Sequence, residues 1–290
     1  MGFYADTAFG LTHCVDHGGN GGPVVLIHGL GGSTANWEAV AGALTAHGAV
    51  SAIDLPGFGL SPPGRDFRLG THCAALEAYI EHLGRPATLI GNSTGALISE
   101  MVASRRPDLV ANLVLIAPAT PPVLPDRRLA WPTVLRLAVQ TAPVAGPAMS
   151  RWLLRKTPME IVNLSLSMVT HHPGRVPMAV IEESIEIAAI RRHYPWAELA
   201  TARTARSIAG IYLRRRRFVD MIRAIQAPTV VIQGIQDDIV SPTAVEWLFR
   251  LRPDWDLIQM VDTGHTPMMD APLRTLEVLE PWLARRYFAS

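Results

Sequence analysis

A serine set between two glycines is the clearest sign of chemistry in this sequence. Residues 91–95 read Gly-Asn-Ser-Thr-Gly, with Ser93 at the centre, and they follow an apolar run at residues 87–90. A helical apolar pattern begins immediately afterwards, so the stretch predicts a strand that turns sharply at Ser93 into a helix. Such a turn exposes the hydroxyl, and the free N–H groups of the new helix point towards the same place. Ser93 is therefore a candidate nucleophile whose oxyanion product would find donors nearby.

A serine hydroxyl needs a general base, and the base needs a carboxylate that orients it. Two loops that follow predicted strands carry these residue types. Residues 234–242 contain the adjacent acids Asp237 and Asp238, and residues 262–267 contain His265. The serine pattern alone would arise by chance in roughly one chain of this length in ten. The order serine, aspartate, histidine adds weight, because hydrolases built on a parallel sheet place their three residues in that order.

The candidate residues lie where strands and helices alternate. Apolar runs, typical of strands buried on both faces, occur at residues 23–27, 49–53, 87–90, 113–117, 228–233 and 257–261. Helical spacing separates most of these runs, and a final helix is predicted over residues 272–287. A shorter alternating pattern predicts a first strand at residues 9–16. The alternation predicts an α/β fold with a mostly parallel, doubly wound sheet and right-handed crossovers.

The alternation is interrupted in the middle of the chain. Residues 118–226 have helical periodicity but no convincing strand pattern. We therefore expect a core α/β domain in two parts, residues 1–117 and 227–290, with residues 118–226 as a helical cap over the carboxyl edge of the sheet.

The predicted cap differs from the core in charge. Its residues contain 16 Lys and Arg against 7 Asp and Glu, while the remaining residues contain 10 against 18. Such asymmetry arises where a basic segment docks on an acidic core, or where a basic face meets an anionic substrate, carrier or surface. We favour docking, with further arginines in solvent.

Five stretches together resemble the α/β-hydrolase fold family, in its serine-nucleophile, esterase- and lipase-like branch with a helical cap. They occur in the family's order at residues 28–31, 54–61, 91–95, 234–237 and 264–267. The first resembles the family's oxyanion loop, and the third resembles its nucleophile elbow. The last two resemble its acid and histidine loops. The resemblance runs along the whole predicted core and extends to the cap only in position and helical character.

The resemblance implies a role for each candidate residue. Ser93 is the implied nucleophile, His265 the general base and then acid, and Asp237 the orienting carboxylate, since it lies three residues after the glycine of its loop. The backbone N–H groups of Leu30 and Thr94 are the implied oxyanion hole. No cofactor and no metal are expected, because no His, Cys and carboxylate cluster has metal-ligand spacing.

The predicted activity is hydrolysis of a carboxylic ester, or a thioester, through an acyl-enzyme, with an apolar part of the substrate held beneath the cap. The serine at position 93 argues against the family's epoxide hydrolases and haloalkane dehalogenases, which carry aspartate there. A carbon–carbon bond hydrolase of the ring-cleavage type, a cofactor-free perhydrolase and an acyltransferase remain open alternatives. Outside enzymes, the alternative is a non-catalytic ligand receptor on the same fold.

Composition narrows the partners and the compartment. The formal net charge of +1 gives no reason to expect nucleic acid. Cys14 and Cys73 are the only cysteines and indicate no disulfide framework. No signal-peptide pattern and no apolar run of about 20 residues is present, so we expect a soluble cytoplasmic protein without a transmembrane segment. The oligomeric state is left open.

Other polar residues have structural interpretations. His28 and Asp54 are expected to support their loops by hydrogen bonds, and His171 and His172 to be solvated. The run of four arginines at residues 214–217 lies among apolar residues. It predicts an amphipathic helix whose arginines extend outwards.

Overall fold

The structure is a computed structural model that describes residues 2–126, 128 and 131–287. Its eight strands are β1 (Gly2–Thr7), β2 (Gly10–Gly18), β3 (Pro23–Ile27), β4 (Ala49–Ile53), β5 (Ala87–Asn92), β6 (Val110–Ile116), β7 (Thr229–Gly234) and β8 (Asp256–Met260). Its α-helices are α1 (Glu38–Leu44), α2 (Leu69–Leu83), α3 (Thr94–Arg105), α4 (Trp131–Thr141), α5 (Ala145–Leu154), α6 (Pro158–Val169), α7 (Met178–Arg191), α8 (Ala197–Tyr212), α9 (Arg215–Ala224), α10 (Pro242–Leu251), α11 (Pro267–Asp270) and α12 (Pro272–Tyr287).

The strands form one sheet in the order β1-β2-β4-β3-β5-β6-β7-β8. From β4 to β8 every neighbouring pair is parallel, while β1 pairs with β2 and β2 with β4 antiparallel. The predicted α/β class with a mostly parallel sheet is confirmed. The predicted strand at residues 9–16 corresponds to β2, and the edge strand β1 was not predicted.

The centre of the sheet is buried on both faces, because strands such as β3 and β7 are largely apolar. Val25 and Ile27 of β3 join one buried cluster, and Val24 and Leu26 join the cluster on the other face. Successive side chains of a strand point to opposite faces, so one short apolar run supplies both clusters. Helices cover both faces, as a parallel sheet requires.

Between β6 and β7 the described residues contain helices and no strand. We call residues 131–224, which hold α4 to α9, the helical segment. Helix α9 packs on α3, and α7 packs on residues 34–44, which follow β3. Phe218 and Ile222 of α9 are buried while Arg215 to Arg217 are exposed, which confirms the predicted amphipathic helix. The assignment of residues 118–226 as a domain of their own stays a prediction.

Parallel strands bring their carboxyl ends to one edge of the sheet. The loops that contain Leu30, Ser93, Asp237 and His265 follow β3, β5, β7 and β8, so all four loops leave from that edge. Within the described part of the chain, no helix combines the length and apolarity needed to cross a membrane.

Candidate active site

Ser93 occupies a sharp turn between β5 and α3. Its backbone has φ 54° and ψ −111°, a conformation that is rare for a residue with a side chain. Two hydrogen bonds hold the turn, from the Ser93 N–H to the Ile116 carbonyl (2.9 Å) and from the Ala119 N–H to the Ser93 carbonyl (3.1 Å). A Cβ atom at Gly95 would lie 2.2 Å from the Ile27 carbonyl oxygen, so only glycine fits where α3 passes β3.

The loop after β3 lies directly beside the serine. A Cβ atom at Gly29 would be 3.2 Å from the Ser93 Cβ, so the glycine lets the loop backbone approach the turn. The Gly32 N–H donates to the Gly29 carbonyl (3.1 Å) and closes the loop around Leu30. Thr94 is the first residue of α3, so its N–H has no acceptor within the helix. Neither the Leu30 nor the Thr94 N–H has an acceptor within the described residues.

His28 supports this loop from beneath, as predicted. Its Nδ1–H donates to the Gly29 carbonyl (2.7 Å), and its Nε2 accepts from the Leu55 N–H (3.0 Å). Complete burial lowers the pKa of the His28 imidazole because the charged form would lose its hydration. The ring is therefore neutral, with its hydrogen on Nδ1, and both nitrogens are used for structure.

The hydrogen bonds of Asp54 also confirm its predicted structural role. The carboxylate is fully buried and accepts from the Thr34 N–H (2.8 Å), the Leu60 N–H (2.9 Å) and His13 Nδ1 (2.7 Å). These donors come from three separate segments of chain. Asp54 thus fixes the loop after β4 against β2 and the start of the 3₁₀ turn at Thr34–Trp37.

Asp237 and His265 lie in contact across two loops. The Asp237 Oδ2 is 2.8 Å from His265 Nδ1, and both side chains are buried. This contact leaves the His265 Nε2 as the ring nitrogen available to a hydroxyl. The adjacent Asp238 is exposed and makes no hydrogen bond or ion pair within the described residues.

Three further donors orient the Asp237 carboxylate. The Ile239 and Val240 N–H groups donate to Oδ1 (2.8 and 2.9 Å), and the Gln233 side chain donates to Oδ2 (2.9 Å). Gln233 is the penultimate residue of β7 and is fully buried. No role was predicted for Gln233, although a glutamine at the end of an apolar strand is a signal of a buried polar contact.

Asn92 links the serine turn to the histidine loop. Its Nδ2 donates to the His265 carbonyl (3.1 Å) and to the Ile116 carbonyl (3.2 Å). Because Asn92 precedes Ser93, this amide ties the backbones of the two candidate residues together. Within the described residues, Ser93 Oγ itself makes no hydrogen bond.

The histidine loop is also bound to the helical segment. Asp270 is buried, and its carboxylate accepts from the N–H groups of Gly264 (2.8 Å), His171 (2.9 Å) and His172 (3.0 Å). The Thr266 N–H and hydroxyl both donate to the Val169 carbonyl (3.2 and 3.1 Å). Asp270 was not predicted from the sequence, because two of its three donors lie about a hundred residues away in the chain.

A second carboxylate reinforces this contact from outside. Asp262 Oδ1 is 2.6 Å from His172 Nε2 and 3.7 Å from His171 Nε2, while Oδ2 accepts from Arg175 Nη1 (2.8 Å). These partners lower the pKa of the Asp262 carboxyl to about 2, chiefly through the His172 contact. The expectation that His171 and His172 are merely solvated was therefore incomplete.

Among the described residues, His171, His172 and Asp262 form the group whose side-chain ligand atoms lie close enough together to hold a metal ion. One atom each from His171, His172 and Asp262 lie within 4.8 Å of one another. Arg175, however, places a positive charge on the other oxygen of Asp262. The cluster is therefore satisfied as an ion-pair contact between the helical segment and the histidine loop.

The chain matches known proteins along nearly its whole length. The model of a family described as "Alpha/beta hydrolase family" matches residues 24–278. A pimeloyl-[acyl-carrier protein] methyl ester esterase of Chromobacterium violaceum is 28% identical over 252 residues, which cover 87% of this chain and 90% of that protein.

Two further similarities show the range of the family. Haloalkane dehalogenase 2 of Mycobacterium bovis is 27% identical over 281 residues, covering 93% of this chain and 90% of that protein. Among solved structures, a thermophilic esterase of Thermogutta terrifontis superposes with a TM-score of 0.73 at 23% identity and covers 99% of both chains. The structural likeness concerns the fold, and the relatives include enzymes for both ester and halide chemistry.

Proposed function

Because the chain belongs to the alpha/beta hydrolase family, we propose that it is a serine esterase that cleaves carboxylic esters, or thioesters, through an acyl-enzyme. The family match and the esterase relative show that it is a hydrolase of this family's type. The observation that carries the proposal is the buried Asp237–His265 contact of 2.8 Å beside the Ser93 turn. Base, orienting acid and nucleophile thus occupy neighbouring loops at one edge of the sheet.

In the proposed reaction, Ser93 Oγ attacks the ester carbonyl while His265 Nε2 takes its proton. The tetrahedral oxyanion accepts hydrogen bonds from the N–H groups of Leu30 and Thr94. His265 then protonates the leaving alcohol, and water hydrolyses the acyl-enzyme by the same steps in reverse. Asp237 holds the imidazole tautomer and stabilises its cation. The Ser93–His265 hydrogen bond would form when substrate binds, as is common in hydrolases whose free form lacks it.

The serine also bears on the halide chemistry of one relative. Attack of a hydroxyl on a carbon–halogen bond would leave an alkyl ether on Ser93. An ether has no carbonyl carbon for water to attack, so the enzyme would remain alkylated after one turnover. A serine at this position therefore favours acyl transfer over dehalogenation.

An apolar region supports an apolar substrate. Leu30, Trp196, Leu199, Tyr212 and Met221 are half-buried and pack against the core cluster that includes Phe58 and Leu97. Four of these five residues belong to the helical segment. We propose that they hold the apolar part of the ester, with each buried methylene contributing up to about 0.8 kcal/mol until the space is filled.

Labelling by a fluorophosphonate probe, followed by ester hydrolysis, tests the proposal. Ser93→Ala is expected to abolish labelling and to lower kcat by about 10⁴-fold or more while the protein stays folded. Full activity in the alanine variant would remove Ser93 as nucleophile.

Two adjacent acids provide a matched pair for the orienting role. Asp237→Asn is expected to lower kcat by about 10³- to 10⁴-fold, because the imidazole loses its orientation and the partner of its cation. Asp238→Asn should stay within about tenfold of the parent, since Asp238 makes no contact with His265. Inactivation by Asp238→Asn instead would move the assignment by one residue.

A further inference from the structure

Helices α4 and α5 form a hairpin that packs on α8. The two helices contact each other, and both contact α8. The approach is close at Gly146 of α5, where a Cβ atom would lie 2.2 Å from the Gln140 carbonyl oxygen and 3.1 Å from the Ala202 Cβ. Gly146 and Ser150, one turn apart, are the buried residues of α5. Helix α5 therefore turns one face to α8 and the opposite face to solvent.

Apolar side chains occupy the exposed face of this hairpin. Leu135 of α4 is 67% exposed, Val144 before α5 is 81% exposed, and Trp152 of α5 is 55% exposed. Val144, Ala148 and Trp152 are exposed and follow one another at intervals of four residues, so they form one stripe along α5. Leu135 and Val139 repeat this spacing on α4. Exposed apolar residues grouped in this way indicate an interaction surface.

The charged residues of the hairpin all have the same sign. Residues 131–156 contain four Arg and Lys residues and no Asp or Glu. Arg151 pairs with Glu198 of α8 (3.0 Å), so this ion pair lies within the helical segment. Arg155 and Lys156 make no ion pair with any residue that the structure describes. The charges of Arg155 and Lys156 are therefore not used for docking on the acidic core.

Trp152 and Lys156 bring the apolar and the charged groups into contact. The Lys156 Nζ lies 4.5 Å from the centre of the Trp152 ring, and both residues keep part of their surface in solvent. Tryptophan favours the boundary between water and hydrocarbon, because its ring is apolar and its N–H is polar. Lysine reaches the same boundary with an apolar stem and a charged end. An exposed tryptophan among cations is typical of helices that lie on a membrane surface.

We propose that the α4–α5 hairpin binds the surface of an anionic lipid bilayer. Lipid phosphates neutralise Arg155 and Lys156, while Leu135, Val144 and Trp152 enter the boundary between headgroups and acyl chains. With 11 and 10 residues, α4 and α5 are too short to span a bilayer, so they lie along its surface. The inference concerns where the protein binds, and it does not depend on the proposed esterase reaction.

Sedimentation with vesicles tests the proposal on the full chain without substrate. One set of vesicles contains phosphatidylcholine alone, and in the other about one-third of the lipid is phosphatidylglycerol. We expect the anionic vesicles to bind about 10-fold more tightly or better, and high salt to weaken this binding because it screens the charges. Equal binding to both sets would overturn the proposal. Binding to neither would also overturn it, and is the result expected if the hairpin recognises an acidic protein instead.

Variants of the hairpin separate the two contributions. Arg155→Gln combined with Lys156→Gln should weaken binding to the anionic vesicles by about 10- to 30-fold, because two cations near the lipid surface are lost. Val144→Ser should weaken it by about 5- to 10-fold, because an apolar side chain is lost. Val144 is the N-cap residue of α5, where serine is favourable, so this variant should stay folded. Trp152→Ser should weaken binding by about 10-fold or more.

Matched controls make the same kinds of change outside the hairpin. Arg216→Gln combined with Arg217→Gln removes two exposed cations of α9 that make no ion pair within the described residues. Leu273→Ser changes a residue of α12 that is 74% exposed. Both controls should keep the parent's binding within about twofold. Equal losses in controls and hairpin variants, or no loss in the hairpin variants, would reject the hairpin as the lipid-binding surface. Thermal unfolding of each variant shows whether a loss arises from the fold.

Discussion

The helical segment contacts the core in two regions, and these regions differ in how many of their buried polar groups have hydrogen-bond partners. At the first contact, which we call the histidine-loop junction, residues 169–175 meet Asp262, Gly264, Thr266 and Asp270, and the carboxylates and N–H groups there are paired. At the second, which we call the aromatic junction, Arg191 of α7 lies over the Phe58 ring, and Tyr212 of α8 lies near Glu100 of α3. Arg191 Nη1, Trp196 Nε1 and both oxygens of Glu100 are buried there and have no hydrogen-bond partner among the described residues.

The difference has a physical interpretation. Paired buried groups specify one geometry, which suits a junction attached to the loop that carries His265. Unpaired buried groups cost free energy, and proteins retain them mainly where function benefits. The histidine-loop junction therefore fixes the position of His265, the proposed general base, while the aromatic junction carries a cost in stability.

The substitution that should weaken the histidine-loop junction most is Asp270→Ala. It leaves three N–H groups without their acceptor, so we expect a loss of about 3–5 kcal/mol in the free energy of unfolding. Activity should fall by tenfold or more, because Gly264, one of the three donors, directly precedes His265. Urea unfolding and ester kinetics measure both effects.

Asp220→Ala is the control for that experiment. Asp220 is an exposed acid of α9 for which the structure shows no hydrogen bond or ion pair. We expect it to change neither stability nor activity appreciably. If both variants behaved alike, Asp270 would not hold the junction.

At the aromatic junction, the substitution that sharpens the comparison is Glu100→Gln. Glu100 lies on α3 near Tyr212 of α8, and burial raises the pKa of its carboxyl to about 8. The unfolded chain ionises near pH 4.5, so the native state keeps a proton that the unfolded state loses. Below pH 4.5, Glu100 therefore does not lower the free energy of unfolding. As the pH rises from 4.5 towards 8, the free energy of unfolding falls.

The neutral glutamine avoids this loss. We expect Glu100→Gln to be more stable than the parent by on the order of 4–5 kcal/mol at pH 9 and to match it near pH 4. Thermal unfolding across this range provides the measurement, with Glu277→Gln on the exposed face of α12 as control. A stability difference that does not vary with pH would mean that Glu100 keeps the same charge in both states.

The smallest effect is expected from Asp262→Asn. Asparagine tolerates the left-handed backbone of residue 262 (φ 59°), so the change removes charge with little strain. Because nearly half of the Asp262 side chain is exposed (46%), solvent screens its contacts with His172 and Arg175, and the melting temperature should fall by only about 2 °C at neutral pH. Because its pKa is held at about 2, the parent's advantage should disappear as the pH falls from about 4 towards 2. A fall in melting temperature as large as the one caused by Asp270→Ala would show that the contacts of Asp262, and not those of Asp270, stabilise the histidine-loop junction.

Much of the fold and the candidate site was predictable because their signals are local. Apolar runs such as the one at residues 23–27 predict buried strands, and the glycines around Ser93 predict the turn. Ser93, Asp237 and His265 each follow a predicted strand. Because the ends of parallel strands share one edge of a sheet, the sequence also predicts that their loops lie at the same edge. β1 was not predicted, because its edge position leaves half its residues in solvent and weakens the pattern.

The amino-acid sequence by itself determined the class of fold, the nucleophile candidate and the loops that carry its partners, since these depend on periodicity and on residues close in the chain. Only the tertiary structure decided which polar groups meet. Asn92 reaches the His265 carbonyl, Asp270 reaches His171, and Arg191 lies over Phe58. These contacts depend on how the helical segment docks on the sheet, and docking is governed by packing between residues far apart in the chain, which no local pattern encodes.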